Sequence, residues 1–327
     1  MTKSISPVDG AICPIMTETQ RRFLKEHDLE AKSKIDWLAL ENSGEPDRTF
    51  PKPVRLCWET DAPATTLIVS VNDSILMTET LTKNTYTLEN LLAGQTYTWS
   101  VNGISSSFTT EDSCPRWIHA EGMSNIRDMG GWMGDDGRRI RQGLLYRGSE
   151  MDTHHNVTEA GLSVLNDTLK IKTDLDLRGE AVGRITSSLM GPHVNFQLIP
   201  IAAYASLLDD PAYNEAIHQI FDILADPASY PVYYHCWGGA DRTGCLAFLI
   251  EALVGVSLED RLMDYEMTTL SVWKSRSRNS ELFQSFLTSL RRYGDDPTYR
   301  EQSIAYLKNC GITDETLEAV KRILLDA

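Results

Sequence analysis

The chain has 327 residues and a formal net charge of −15, from 46 acidic and 31 basic side chains. Such an acidic surface repels nucleic acid and anionic membranes, so neither is an expected partner, and an anion-binding pocket must be a local exception built from specific residues. Hydrophobic residues at 42% and charged residues at 24% are ordinary for a globular chain, no apolar run is long enough to insert in a bilayer, and six scattered cysteines without a CxxC pair argue against a disulfide framework and against a zinc site.

The opening MTKSISPVDGAICPIMTETQ has no basic cluster followed by an apolar stretch, so no signal peptide is visible and a cytoplasmic location is the default expectation. Residues 16–42 read as helical, with Phe23, Leu24, Ile35, Trp37 and Leu38 as apolar points, and residues 1–50 are expected to form an N-terminal helical extension packed on an unknown partner. Residues 51–112 read as β-structure. VRLCWET, TTLIVSV, QTYTWSV and SSSFTT are rich in Val, Thr and aromatics, and Tyr97, Trp99 and Val101 alternate with Thr98 and Ser100. Asp61-Ala62-Pro63, Asn72-Asp73 and Ala93-Gly94 supply turns. Trp58 followed by Leu88, Leu91, Gly94, Tyr97 and Val101 at this spacing resembles a fibronectin type III domain. The resemblance implies a small all-β sandwich, the same fold class that any other antiparallel sandwich here would give. No titratable cluster marks this segment, and its binding partner is unknown.

A boundary is expected near Asp112-Ser113-Cys114-Pro115, with residues 113–327 forming an α/β domain. LKIKTDLDLR and VNFQLIPI are strand-like, PVYYHC is a short apolar and aromatic run that ends abruptly, and TGCLAFLIEALVG has the length and composition of a buried helix. Ser257 with Asp260 three residues on opens another helix, as a capping box would, and amphipathic helices continue to the end. This alternation implies a central sheet flanked by helices.

The chemistry concentrates in His235-Cys236-Trp237-Gly238-Gly239-Ala240-Asp241-Arg242-Thr243-Gly244. A Cys and an Arg separated by five residues say little alone; a β-run before them, two glycines between them and a helix after them say more. A loop of this kind can curl so that its N–H groups face inward around an anion, with Gly238 and Gly239 permitting the dihedrals required. The next helix aims its N-terminal partial charge at the same point. The Arg242 fork can grip two phosphate oxygens, and the combined field favours the nucleophilic thiolate of Cys236. Thr243 can donate a hydrogen bond to that sulfur.

This loop resembles the signature of cysteine-based protein tyrosine phosphatases, and more narrowly HCWGGADRTG is similar to the HCxxGKDRTG loop of the bacterial atypical family. Asn125-Ile126-Arg127-Asp128-Met129-Gly130-Gly131, Leu145-Tyr146-Arg147, and Asp176-Leu177-Arg178 with Glu180 agree with it. The resemblance implies Cys236 as nucleophile, Arg242 as the phosphate and transition-state arginine, Asp241 as general acid, and residues 237–242 as the phosphate-binding loop, with His235, Thr243, Asp176 and Arg178 in support. It implies a two-step reaction through a phosphocysteine, needing neither metal nor other cofactor, on a phosphorylated protein or peptide, with dual specificity left open. The family's lysine before the Asp is Ala240 here, which weakens the alternative of a phosphoinositide or inositol-phosphate substrate. A catalytically silent phosphate-binding module is the rival from another class.

Each assignment has a plainer counterpart. Asp241 could instead hold the loop through backbone N–H groups, with Asp209 or Asp210 as rival acids on a mobile loop. Asp176 and Arg178 could pair only with each other, while Arg127 and Asp128 are read as structural and His235 as orienting the loop. His154-His155 is expected in a solvated turn rather than on a metal. Cys245 is expected to pack, its alternative being a resolving thiol for Cys236, and Trp237 either lines the pocket mouth or packs.

Overall fold

The computed structural model describes residues 3–40, 47–179 and 185–326. Short runs of β-branched and aromatic residues build two sheets from its first third. Strands β1 (Lys3–Ser6), β3 (Val54–Glu59) and β6 (Thr85–Leu88) form one, in the order β1-β3-β6. Strands β2 (Ala11–Cys13), β4 (Thr65–Val71), β5 (Ser74–Leu81), β7 (Thr96–Val101) and β8 (Ile104–Thr110) form the other, in the order β2-β8-β7-β4-β5. The expected alternation holds: Tyr97, Trp99 and Val101 point into a core shared by both sheets, together with Leu56, Trp58, Leu67, Val69 and Phe108.

The expectation of a purely helical extension over residues 1–50 is corrected. β1 pairs antiparallel with β3 and β2 pairs parallel with β8, so residues 3–13 complete the two sheets. Three- and four-residue strands interrupted by a turn at Asp9-Gly10 carry too little periodicity to be seen in the sequence. Helices follow as expected in α1 (Glu18–Lys25), opened by a capping box at Thr17, and α2 (Leu29–Ser33). Their partner is now visible. Phe23 and Trp37, edge to face at 4.9 Å, belong to the core of the second half of the chain. The Lys32 ammonium sits 3.8 Å from the Phe23 ring centroid and 3.4 Å from the Glu266 carboxylate.

The second half is a mixed α/β layer structure. Strands β9 (Arg116–Trp117), β10 (Arg127–Asp128) and β11 (Leu145–Gly148) precede helix α3 (Glu159–Ser163). Then come β12 (Thr173–Asp176), β13 (Asn195–Leu198), α4 (Ala205–Asp209), α5 (Asn214–Ala225) and β14 (Val232–His235). Helices α6 (Asp241–Leu253), α7 (Leu258–Glu266), α8 (Glu281–Leu290), α9 (Arg300–Asn309) and α10 (Asp314–Leu324) complete the chain. The sheet order is β13-β12-β14-β11-β10-β9, with β11 to β14 mutually parallel where they touch and β10 antiparallel to both neighbours. Every residue of β14 is buried, and of α6 all from Thr243 to Leu253, as expected for a central strand and the helix packed on it. The Ser257 hydroxyl accepts from the Asp260 N–H at 3.1 Å and so caps α7.

Candidate active site

Strand β14 ends at His235, and the next six residues turn into the first turn of α6. What shapes this turn is the way its carbonyls are held. The Glu150 N–H donates to Trp237 O at 3.0 Å. Asn125 Nδ2 donates to Gly238 O at 2.8 Å and to Gly239 O at 3.2 Å, and an Arg147 guanidinium nitrogen also donates to Gly239 O, at 2.8 Å. With three successive carbonyls drawn outward, the N–H groups are left free: among the described residues, none from Trp237 to Thr243 donates to a protein acceptor. Gly239 adopts φ +63°, and a Cβ there would lie 2.3 Å from Gly148 O; at Gly238 a Cβ would lie 2.4 Å from the Trp273 ring. Glycine is therefore required at both positions.

The nest opens into a cavity of about 660 Å³. Cys236, 3% exposed, lines it together with Trp237, Gly238, Ala240, Asp241 and Arg242. Half-buried Arg242 has no carboxylate partner among the described residues. Asp241 is differently placed. Arg276 Nε and a terminal nitrogen donate to its two oxygens at 2.9 and 3.0 Å, and the Tyr204 hydroxyl donates to Oδ1. Tyr204 in turn meets the Tyr265 hydroxyl at 2.8 Å. Burial and then the Asp241 charge push the Tyr204 hydroxyl far above the usual phenol range, and burial pushes Tyr265 up to about 12, so both remain proton donors. Burial would lower the Arg276 guanidinium, but its contacts with Asp241 outweigh that and raise it. The loop-holding role considered for Asp241 is not seen, since its carboxylate takes side-chain donors.

Below the loop lies a buried charge network. His235 Nε2 stands 3.0 Å from Asp174 Oδ1. Burial would lower this imidazole, yet the Asp174 hydrogen bond and charge raise it to about 9. Its Nδ1 faces Cys236 O at 3.4 Å. Arg178 grips Asp176 and Asp152 at 2.6–3.2 Å and lies 5.0 Å from the Trp237 ring centroid. Asp176 and Arg178 thus stay out of the pocket and prop Trp237 from behind; Glu180 lies outside the described residues. Arg127 donates to Asp264 at 2.8 Å, and Asp128 pairs with Arg116 at 2.8 Å, both structural as read.

Several expectations are corrected. Thr243 Oγ1 is buried without a hydrogen-bond partner, so the bond to the Cys236 sulfur is not formed. Asp209 pairs with Arg292 and Asp210 caps the turn at Pro211, and neither lines the cavity. His154 and His155 lie in a bend with His154 exposed, as expected of a solvated turn, and that turn also forms part of the site. The buried Glu150 carboxylate accepts the N–H groups of residues 152–155 at 2.5–2.9 Å. That sets the His154 ring into the cavity wall between Trp237, at 5.0 Å, and Trp273, at 5.5 Å, while His155 Nε2 accepts from the Trp273 indole at 2.8 Å. Among the described residues no cluster of three or more potential ligands could hold a metal. Cys245 packs as expected: burial pushes its thiol up to about 12, and its sulfur accepts from the Tyr204 N–H at 3.2 Å. Asn125, Arg147, Tyr204, Tyr265, Trp273 and Arg276 escaped the sequence reading as site residues. The signal available was Lys274, Arg276 and Arg278, basic residues alternating with serine in an acidic chain.

Comparison with known proteins places these observations among relatives. The family model described as the tyrosine phosphatase family matches residues 118–326. A Cupriavidus necator protein whose name places it among tyrosine-protein phosphatases is 27% identical over 200 residues, covering 54% of this chain and 68% of its own length. The triple specificity protein phosphatase PtpB of Mycobacterium tuberculosis is 30% identical over 139 residues, which is 34% of this chain and about half, 49%, of PtpB. Among solved structures, the core catalytic domain of the S. cerevisiae PP-IP phosphatase Siw14 aligns with TM-score 0.33 and 21% identity over 52% of this chain and 95% of its own. P. aeruginosa TpbA aligns with TM-score 0.26 and 16% identity over 57% and 88%. No helix among the described residues is long and apolar enough to cross a membrane.

Proposed function

The chain belongs to the tyrosine phosphatase family of phosphate monoester hydrolases, and from that premise we propose that it is a protein-tyrosine phosphatase acting through a phosphocysteine on Cys236. One observation carries the reading: the loop from Trp237 to Arg242, whose N–H groups have no protein acceptor among the described residues, lines a cavity together with Cys236, and Arg242 there has no carboxylate partner among the described residues. Donors so arranged, at a helix N-terminus, suit a phosphoryl group whose charge grows on its equatorial oxygens.

In the first step Cys236 Sγ attacks phosphorus in line. The S–P bond forms, the P–O bond to the leaving group breaks, and the leaving oxygen takes a proton from Asp241. In the second, water attacks phosphorus and gives a proton to Asp241 while the S–P electron pair returns to sulfur. Arg242 and the loop amides hold the transferring oxygens in both. The rings of Trp237, Trp273, His154 and Tyr204 give the cavity aromatic walls suited to a phenyl ester.

The loop is read as that of the bacterial atypical subgroup. The paired sheets of β1 to β8 are read as a fibronectin type III-like sandwich, supported by the Tyr97 hydroxyl, which accepts from the Leu92 N–H at 2.8 Å, the geometry of a tyrosine corner. The phosphoinositide alternative wants a basic rim. The cavity offers two guanidinium groups, one already held by Asp241, and Ala240 where that substrate class would favour lysine.

Turnover of a phosphotyrosine peptide, a phosphoserine peptide and a phosphoinositide, with vanadate as inhibitor, tests the reading. We expect cleavage of the phosphotyrosine peptide, blocked by vanadate and abolished in Cys236→Ser while phosphate analogues still bind. Unchanged turnover in Cys236→Ser would overturn the mechanism, and no turnover on any substrate would favour a silent binding module.

A further inference from the structure

The segment between α7 and α8 is bracketed at Arg276. Its N–H donates to Thr269 Oγ1 and its carbonyl accepts from the same hydroxyl, both at 3.0 Å, and one guanidinium nitrogen donates to Trp273 O at 3.1 Å. From this fixed backbone the fork closes on both oxygens of Asp241, with Tyr204 on the third side. Tyr204 holds that place with a left-handed φ of +58°, a conformation unusual for a bulky residue. Both Asp241 oxygens are thus occupied by hydrogen-bond donors, whereas handing a proton to the leaving oxygen needs one of them free to carry it.

The charges lining the cavity are Asp241, Arg242 and Arg276, with His154 titratable. Once a phosphoryl group engages Arg242, putting a proton on Asp241 strips Arg276 of its counter-charge in a half-buried setting. An anion supplied to Arg276 from elsewhere removes that penalty. By linkage, anion binding at Arg276 and proton uptake at Asp241 favour each other. The cavity has room for such an anion: beyond Trp273 its wall is made by Ser275, Ser277, Ser280 and Leu282.

We propose that Arg276 is a positioning residue operated by substrate: an anionic group flanking the phosphotyrosine on the same peptide draws the guanidinium off Asp241 and so arms the general acid. The inference rests on the phosphatase reading and on Asp241 as its acid. Tyr204 from the turn before α4, Tyr265 from α7, Arg276, and Cys245 from α6 are the other groups bearing on that carboxyl, with Cys236 and Arg242 on the same cavity wall.

The test is steady-state kinetics on three phosphotyrosine peptides that differ in one flanking residue, glutamine, glutamate or phosphoserine. Turnover of p-nitrophenyl phosphate, whose leaving group needs little acid help, normalises each variant. In the intact protein an anionic flank is expected to raise kcat by about ten-fold, with KM moving less. A gain from phosphoserine alone identifies a second phosphate as the anion, and a gain from both identifies charge as sufficient. Arg276→Gln is expected to abolish the preference by raising kcat on the neutral peptide, and Arg276→Lys to keep part of it. Tyr204→Phe, which frees Asp241 from the other side, is expected to shrink the preference even if Arg276→Gln folds poorly. Cleavage of p-nitrophenyl phosphate with no flank preference, or a preference that survives Arg276→Gln, overturns the inference and leaves the phosphatase reading intact; no cleavage of any ester overturns both.

Discussion

Arg242 and His235 both bring positive charge to the loop that carries Cys236, and they do so by different means. Arg242, half-buried on the cavity wall, has no carboxylate partner among the described residues, and a guanidinium so placed can stay solvated until an oxyanion arrives. His235 is 1% exposed, and the hydrogen bond and charge of Asp174, helped by the charge of Asp176, keep its imidazolium there. Because its folded value of about 9 lies above the unfolded value of 6.5, this pair stabilises the protein fully below pH 6.5 and loses that contribution as pH rises through 9. The shift corresponds to on the order of 3 kcal/mol. Asp174→Asn should therefore lag the parent most in urea unfolding near pH 6, with the gap closing toward pH 9. A gap independent of pH would show that the imidazole is neutral, and that Nδ1 does not donate to the Cys236 carbonyl.

At the scale of elements, the loop was legible because its parts are contiguous: a β-run, two glycines, an arginine and a helix start all fall within residues 232–244. The side chains that shape it were not legible, because they arrive from other elements. Asn125 comes from before β10, Arg147 from β11, and Arg276 from beyond α7, more than thirty residues after the nucleophile. Pairing of the carbonyls with Asn125 and Arg147 is a tertiary event that no local spacing announces. The helical extension was legible as amphipathic, but its partner was not, since the docking of Phe23 beside Trp37 and under Lys32 depends on α7. That docking predicts a measurable cost. Phe23 is 1% exposed, so Phe23→Ala should destabilise the chain by about 3–5 kcal/mol, read as a lowered urea midpoint at constant slope. A loss below about 1 kcal/mol would mean that the extension is only loosely docked.

Across the whole molecule, one chain passes between the core of the paired sheets and the core of the α/β half in an unexpected order. Cys13 and Ile15 belong to the core of the paired sheets, Met16, Phe23 and Trp37 to the α/β core, and Val54 to the first again. The paired sheets are therefore assembled from residues 3–13 and 54–110, with the helical extension leaving between them. Glu111 fastens the crossing, accepting the N–H groups of Ile15 and Met16 at 2.8 and 2.9 Å and pairing with Arg21. Reciprocal amide bonds join Gln142 to Ala93 and Asn90 to His119 across the junction, at 2.7–3.1 Å. The boundary at residue 51 suggested by composition thus separates β1 and β2 from the strands they pair with, β3 and β8. Residues 51–112 alone would lack β1 and β2, which cover the outer edges of β3 and β8, and would leave both edges unpaired. That fragment is expected to show no cooperative urea transition by circular dichroism, whereas residues 1–112 regain the β signal and a transition. Cooperative unfolding of 51–112 as stable as that of 1–112 would mean that β1 and β2 are appendages, and that the continuous segment is the true unit.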